Sequence, residues 1–114
     1  MGIYLLDNKE RSVVLQGKNI NFAGLTLRLE YYYKKKRRPL PEEALNELCI
    51  TNPESTILLA HFPDHFPQYA PVAALVVSGH NHGGIIRLPK IGGFISPQLY
   101  FPPYTRGIYH EGDS

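Results

Sequence analysis

Apolar residues come along this chain in short bursts of strand length, separated by polar, glycine-rich or proline-rich stretches. Two bursts are uninterrupted, Thr56-Ile57-Leu58-Leu59-Ala60 and Ala73-Ala74-Leu75-Val76-Val77, and both predict short buried strands. Ahead of them, Ser12 to Leu15 and Asn19 to Ala23 flank Gln16-Gly17-Lys18, a β-hairpin pattern. In its second arm Ile20 and Phe22 alternate with polar neighbours, which predicts one buried and one wet face. Leu25, Leu27 and Leu29 alternate with Thr26, Arg28 and Glu30 and extend that arm. Ile3 to Leu6 reads as a further strand at the very start. Pro41 to Cys49 predicts a short helix. Pro41 suits its first turn, Glu42 and Glu43 suit its positive end, and Leu45, Leu48 and Cys49 share one face. Asp64 to Tyr69 predicts a helical turn, broken by Pro67 and Pro71. Ile85-Ile86-Arg87 is followed by loop. Pro97, Pro102 and Pro103 exclude regular structure as far as Tyr104, and Arg106 to Tyr109 returns as a last strand.

Composition narrows this to one ordered domain. The chain has 114 residues and is 43% hydrophobic, ordinary for a globular protein. Its single cysteine, Cys49, excludes an internal disulfide, suits a reducing, cytoplasmic setting and is expected in the core. There is no secretory signal and no apolar run near the ~18 residues of a membrane span. Charge is concentrated in one place. Lys34-Lys35-Lys36-Arg37-Arg38 supplies five of the 12 basic residues, against 10 acidic ones, so the net +2 reflects a single segment. Such a run is a solvated loop or a contact for an anionic surface, including the inner face of a membrane. Nucleic acid is disfavoured, because no binding motif accompanies the run and its three neighbouring tyrosines.

Candidate chemistry sits at the ends of the two buried strands. The second runs into Ser78-Gly79-His80-Asn81-His82-Gly83-Gly84, and the first into His61-Phe62-Pro63-Asp64. Two strands thus deliver histidine at their carboxyl ends, where open α/β sheets place ligands. Neutral imidazoles are metal donors. His65 is expected to be a solvent or capping histidine rather than a ligand, and His110, near a polar end, is expected to be exposed.

These same runs closely resemble the calcineurin-like metallophosphoesterases. The similarity is carried by Leu58-Leu59-Ala60-His61-Phe62-Pro63-Asp64 and by Gly79-His80-Asn81-His82-Gly83-Gly84-Ile85-Ile86-Arg87-Leu88-Pro89. It is strongest toward a bacterial branch acting on phosphoesters and lipid-linked pyrophosphates. The opening strand and the closing Tyr104 to Tyr109 also fit. The resemblance implies half of an αββα sandwich, mostly one mixed β-sheet with one or two short helices. It also implies a site for two divalent ions, manganese, iron, zinc or nickel. His61 and His80 would bind one ion and His82 the other, with Asp64, Asn81 and Gly79 beside the ligands or the substrate. The family's Asp-x-His, bridging Gly-Asp and Gly-Asn-His motifs do not occur here; the sole Gly-Asp is Gly112-Asp113. The chain therefore reads as residues 1–114 of a partial domain, a C-terminal half. Its implied substrate is a phosphoester or pyrophosphate. Its implied partner is the N-terminal half, from the same gene or a complementing chain. The alternative is a catalytically incomplete fragment that binds anionic membrane through its basic loop.

Overall fold

A computed structural model describes residues 2–28, 39–97 and 101–114. Its centre is a four-stranded mixed sheet in the order β1-β2-β3-β4, with β1 Lys9–Leu15, β2 Lys18–Leu25, β3 Thr56–Ala60 and β4 Leu75–Val77. The hairpin forms as expected. β1 and β2 pair antiparallel around Gln16 and Gly17, both with positive φ, the backbone a tight turn demands. β2 then pairs parallel with β3, and β3 with β4. The two parallel crossovers hold the helices: α1 Glu42–Asn46 between β2 and β3, and α2 Phe66–Tyr69 between β3 and β4. A small antiparallel hairpin, β5 Ile86–Leu88 with β6 Gly92–Ile95, follows the histidine turn.

Register assigns every strand residue to one of two faces. Asn21, Ala23 and Leu25 line up with Thr56, Leu58 and Ala60. On this face Ala23, Leu58 and Thr56 are fully buried, packed with Leu40, Leu48, Phe62, Tyr69 and Ala73. Polar ties complete it. Glu10 accepts from the Thr51 hydroxyl at 2.7 Å and the Thr56 hydroxyl at 3.2 Å, fastening β1 to the entry of β3. Gln68 and the Leu40 backbone exchange hydrogen bonds of 2.7 and 2.9 Å.

The opposite face is open. Phe22, Ile57 and Leu75 are aligned across it, as are Gly24, Leu59 and Val77. Leu75 is 52% and Val77 50% exposed, although both lie in a strand. The radius of gyration, 15.1 Å, exceeds the roughly 13 Å of a compact chain this long, consistent with one uncovered side. Part of the open face is crossed by the N-terminal segment. A Cβ at Gly24 would lie 2.7 Å from the Leu6 Cβ and collide with the Leu6 carbonyl oxygen. Glycine is what lets this segment pass over the sheet. The guanidinium of Arg11 stands 3.4 Å over the Tyr4 ring in the same segment.

Several expectations are corrected. Ile3 to Leu6 is not a strand; among the described residues no strand pairs with it, and it runs along the open face, with Leu6 against Gly24 of β2. In β2 the buried positions are Asn21 and Ala23, while Ile20 and Phe22 are half-buried on the other side. Asn21 is tolerated inside because the Ser12 hydroxyl donates to its Oδ1 at 2.6 Å. The helix stops at Asn46, so Cys49 lies beyond it with φ 46° and is exposed, not core. Pro63, Pro67 and Pro71 do not break the stretch after His61. Each sits in the first turn of one of three consecutive short helical segments, where its missing N–H costs nothing. After β5 a second strand, β6, replaces the expected loop, and Arg106 to Tyr109 forms no strand. Leu29, Glu30 and the basic run Lys34, Lys35, Lys36, Arg37 and Arg38 lie outside the described residues. Among the described residues no helix is long and apolar enough to cross a membrane.

Candidate metal centre

β3 and β4 are parallel neighbours, so their carboxyl ends emerge side by side. His61 follows β3 directly. His80 comes three residues after β4, and the Gly79 N–H donates to the His61 carbonyl at 3.2 Å, carrying the pairing one step past the sheet. The two rings meet there. His80 Nδ1 and His61 Nε2 lie 2.9 Å apart, one donating and the other accepting according to tautomer, with ring centroids 4.7 Å apart. The buried Phe62 ring is the floor, 5.3 Å from His61 and 4.4 Å from His80. Two nitrogens on one tetrahedral ion, each bonded at about 2.0–2.1 Å, stand roughly 3.3 Å apart. The observed separation of 2.9 Å is close to that spacing.

The turn that holds His80 and His82 is strained. Both take positive φ, 63° and 50°, a conformation costing an L-residue about 1–2 kcal/mol. Asn81 between them is the counterweight. It is 1% exposed, and its Nδ2 donates to the Tyr104 carbonyl at 2.6 Å. Its backbone N–H donates to the Gly79 carbonyl at 2.8 Å and its carbonyl accepts from Gly84 at 2.6 Å. Its Oδ1 has no hydrogen-bond partner among the described residues. Next to the turn, a Cβ on Gly84 would sit 2.6 Å from Gly93 Cα, so the β5–β6 hairpin abuts it backbone to backbone.

Electrostatics favour a neutral His61. His61 is held below the usual histidine range, first by desolvation and then by the like charges of His80 and His82. Burial and these like charges thus favour its neutral form, the form that can ligate a metal. Asp64 lies in the helical turn after His61, half-buried with its Oδ1 fully enclosed. His65 is neither a solvent nor a capping residue. It is half-buried, edge-on to the Tyr69 ring at 6.2 Å, and makes no side-chain cap bond. Its pKa is lowered by burial, with Asp64 and Gln68 opposing. His110 is exposed.

The structure thus brings His61 and His80 together, with Gly79 and Asn81 building the turn. His82 is exposed on the far side of Asn81, close enough to influence the charge of His61. Among the described residues no group of three or more His, Cys, Asp or Glu is arranged to hold a metal ion. Three residues escaped the sequence reading. Tyr104 anchors Asn81 through a backbone carbonyl, which no side-chain pattern announces. Arg87 and Arg106 flank Gly83; Arg87 lies within the resembling motif, but its spacing there assigned it no role.

Comparison with known proteins finds a relative in Bacillus subtilis (strain 168), the uncharacterized metallophosphoesterase YkuE. It is 34% identical over an 84-residue alignment, and the match covers 62% of this chain and 29% of the relative. The chain therefore spans less than a third of that protein's length. No family model matches, and no solved structure does. The similarity to metallophosphoesterases first visible in the motifs is shared with a protein of that name. The mixed four-stranded sheet with few short helices is consistent with half of such a sandwich.

Proposed function

We propose that this chain is the C-terminal part of a metal-dependent phosphoester hydrolase and supplies the histidine wall of its metal site. One observation carries this: two parallel strands end in histidines whose ring nitrogens lie 2.9 Å apart. His61 and His80 would hold one divalent ion and His82 a second. When bound, such ions supply Lewis acidity and a water of lowered pKa for attack on phosphorus. The chain's own residues prepare that chemistry. Phe62 excludes water beneath the rings. Desolvation keeps His61 in the donor form. Asn81 holds the strained turn, so that His80 and His82 diverge from a fixed point. Asp64 is placed to orient a neighbouring imidazole, the usual task of a carboxylate beside a ligand.

A bridging carboxylate and the remaining donors belong to the N-terminal half of the domain. The row of half-buried Ile57 and exposed Leu59, Leu75 and Val77 is the surface on which that half would pack. The substrate class is a phosphoester or pyrophosphate.

The test is a zinc and manganese titration of the purified chain by calorimetry. His61→Ala and His80→Ala are each expected to weaken binding at least about tenfold. Unchanged affinity in both would overturn the ligand assignment. The chain alone is expected not to hydrolyse p-nitrophenyl phosphate with manganese. Turnover that disappears in His80→Ala would show that the missing half is not needed.

A further inference from the structure

We infer that the cavity between the free edge of β4 and the segment from Tyr104 to Ser114 binds a single uncharged aromatic ring, and that filling it steadies the turn carrying His80 and His82. β4 ends the sheet, and among the described residues no strand pairs with its outer edge. The C-terminal segment faces that edge across the cavity as a strap held at both ends. At one end the Tyr104 carbonyl accepts from Asn81 Nδ2 at 2.6 Å. At the other the Ser114 hydroxyl donates to the Ala70 carbonyl at 2.8 Å. Between these ties the Tyr109 hydroxyl accepts from the Thr105 N–H at 3.1 Å and donates to the Arg106 carbonyl at 3.3 Å, which folds the strap on itself.

Size and walls define the ligand. The cavity is about 240 Å³, walled by Phe66, Leu75, Tyr104, Ile108 and Tyr109, and it reaches Ser78 and Gly79 just ahead of His80. An apolar cavity of about 150 Å³ takes benzene, whereas drug-sized ligands occupy roughly 300 Å³ or more. One ring with small substituents is the match. Phe66 and Tyr104 meet with centroids 5.6 Å apart at 87°, and Tyr104 and Tyr109 at 5.0 Å and 89°. Rings set at right angles offer an entering ring both an edge and a face, the contacts that aromatic pairs favour. Leu75 is 52% and Ile108 88% exposed, so the ligand also covers apolar surface that now faces water.

Tyr104 belongs to both structures. Its ring walls the cavity, and its carbonyl holds Asn81, which is 1% exposed between two histidines of positive φ. A ring packed on Tyr104 restrains that carbonyl and favours the formed turn, and by linkage the formed turn favours the ring. No metal enters this coupling, so it stands apart from the phosphoester reading.

The test is an NMR titration of the chain with phenol in EDTA, with cyclohexanol as the saturated control. Phenol is expected to shift the Ser78, Gly79 and Ile108 amides saturably, with a dissociation constant on the order of 1 mM. Cyclohexanol is expected to bind at least about fivefold more weakly, because it lacks the ring–ring contacts. Tyr104→Ala removes the ring but keeps the backbone carbonyl, and is expected to weaken phenol binding at least about fivefold. Ile108→Ala, at a position too exposed to threaten the fold, is expected to weaken it about threefold. Val14→Ala, an exposed apolar position on β1, is expected to leave it unchanged. At saturating phenol, hydrogen exchange at the Asn81 and Gly84 amides is expected to slow about threefold. No saturable shift, equal binding of cyclohexanol, or wild-type affinity in both Tyr104→Ala and Ile108→Ala would overturn the site. Unchanged exchange at Asn81 and Gly84 would overturn the coupling.

Discussion

The two sides of one β-sheet are opposites in this protein, although the same strands build both. In β3, Thr56, Leu58 and Ala60 are buried while Leu59, between them, is 40% exposed. The alternation comes from the backbone pleat, not from hydropathy, because Ile57 and Leu59 are as apolar as their neighbours. The helical crossovers and the chain from Leu40 to Ala73 cover one side. The other is crossed by the N-terminal segment and leaves Leu59, Leu75 and Val77 exposed. Parallel strands with continuous apolar runs ordinarily have cover on both faces. One side is thus finished by local sequence, and the other is shaped for something further. The histidine pair lies at the sheet end shared by both.

Each side can be challenged separately. The largest effect is expected from Leu58→Ala, which should lower unfolding stability by about 2–4 kcal/mol in urea titration. Leu59→Ala, one residue along the strand, should cost about 0.5 kcal/mol or less. Equal losses would mean that the sides are not distinct. Asn81→Ala should come next, at about 1–2 kcal/mol, because it removes the buried bond to Tyr104 and frees a strained turn. It should also weaken zinc binding, which a purely structural role would leave unchanged. On the open side, Leu75→Lys with Val77→Lys should shift sedimentation toward monomer and move the unfolding midpoint little, since exposed apolar patches drive association. The smallest effect is a pH dependence on the finished side. His65 has a folded pKa below the unfolded value near 6.5, so at pH 7.5 both states are neutral. As pH falls through about 6.5 the unfolded chain takes up the proton first, and stability declines until the folded pKa is reached. His61 adds a share of the same sign. Urea midpoints at pH 7.5 and 5.5 should therefore differ less in His65→Gln than in the wild type.

Much of this was visible in the sequence where a single periodicity decides. The hairpin, β3, β4 and α1 follow from runs and turn residues, and His61 and His80 meet because both close a parallel strand. Elsewhere the deciding contact lies outside the local window. Ile3 to Leu6 has strand letters but no partner strand. The phase of β2 was misread because the helices cover the Asn21 side, and Ser12 makes a buried asparagine acceptable. Cys49 matched a helical face that ends three residues earlier, at Asn46. The β5–β6 hairpin did have a signal, Gly92-Gly93 before Phe94-Ile95, with Lys90 at φ 67° in the connecting turn. Arg87 and Arg106, well apart in sequence, come beside Gly83 only in three dimensions.

One glycine carries a consequence for reading relatives. Position 24 admits no side chain because residue 6 rests directly on it. A homologue with alanine or anything larger there must route its leading residues by another path, while one that keeps glycine can share the present route. A single letter in an alignment would then sort such proteins by how their first residues travel, before any of their structures is known.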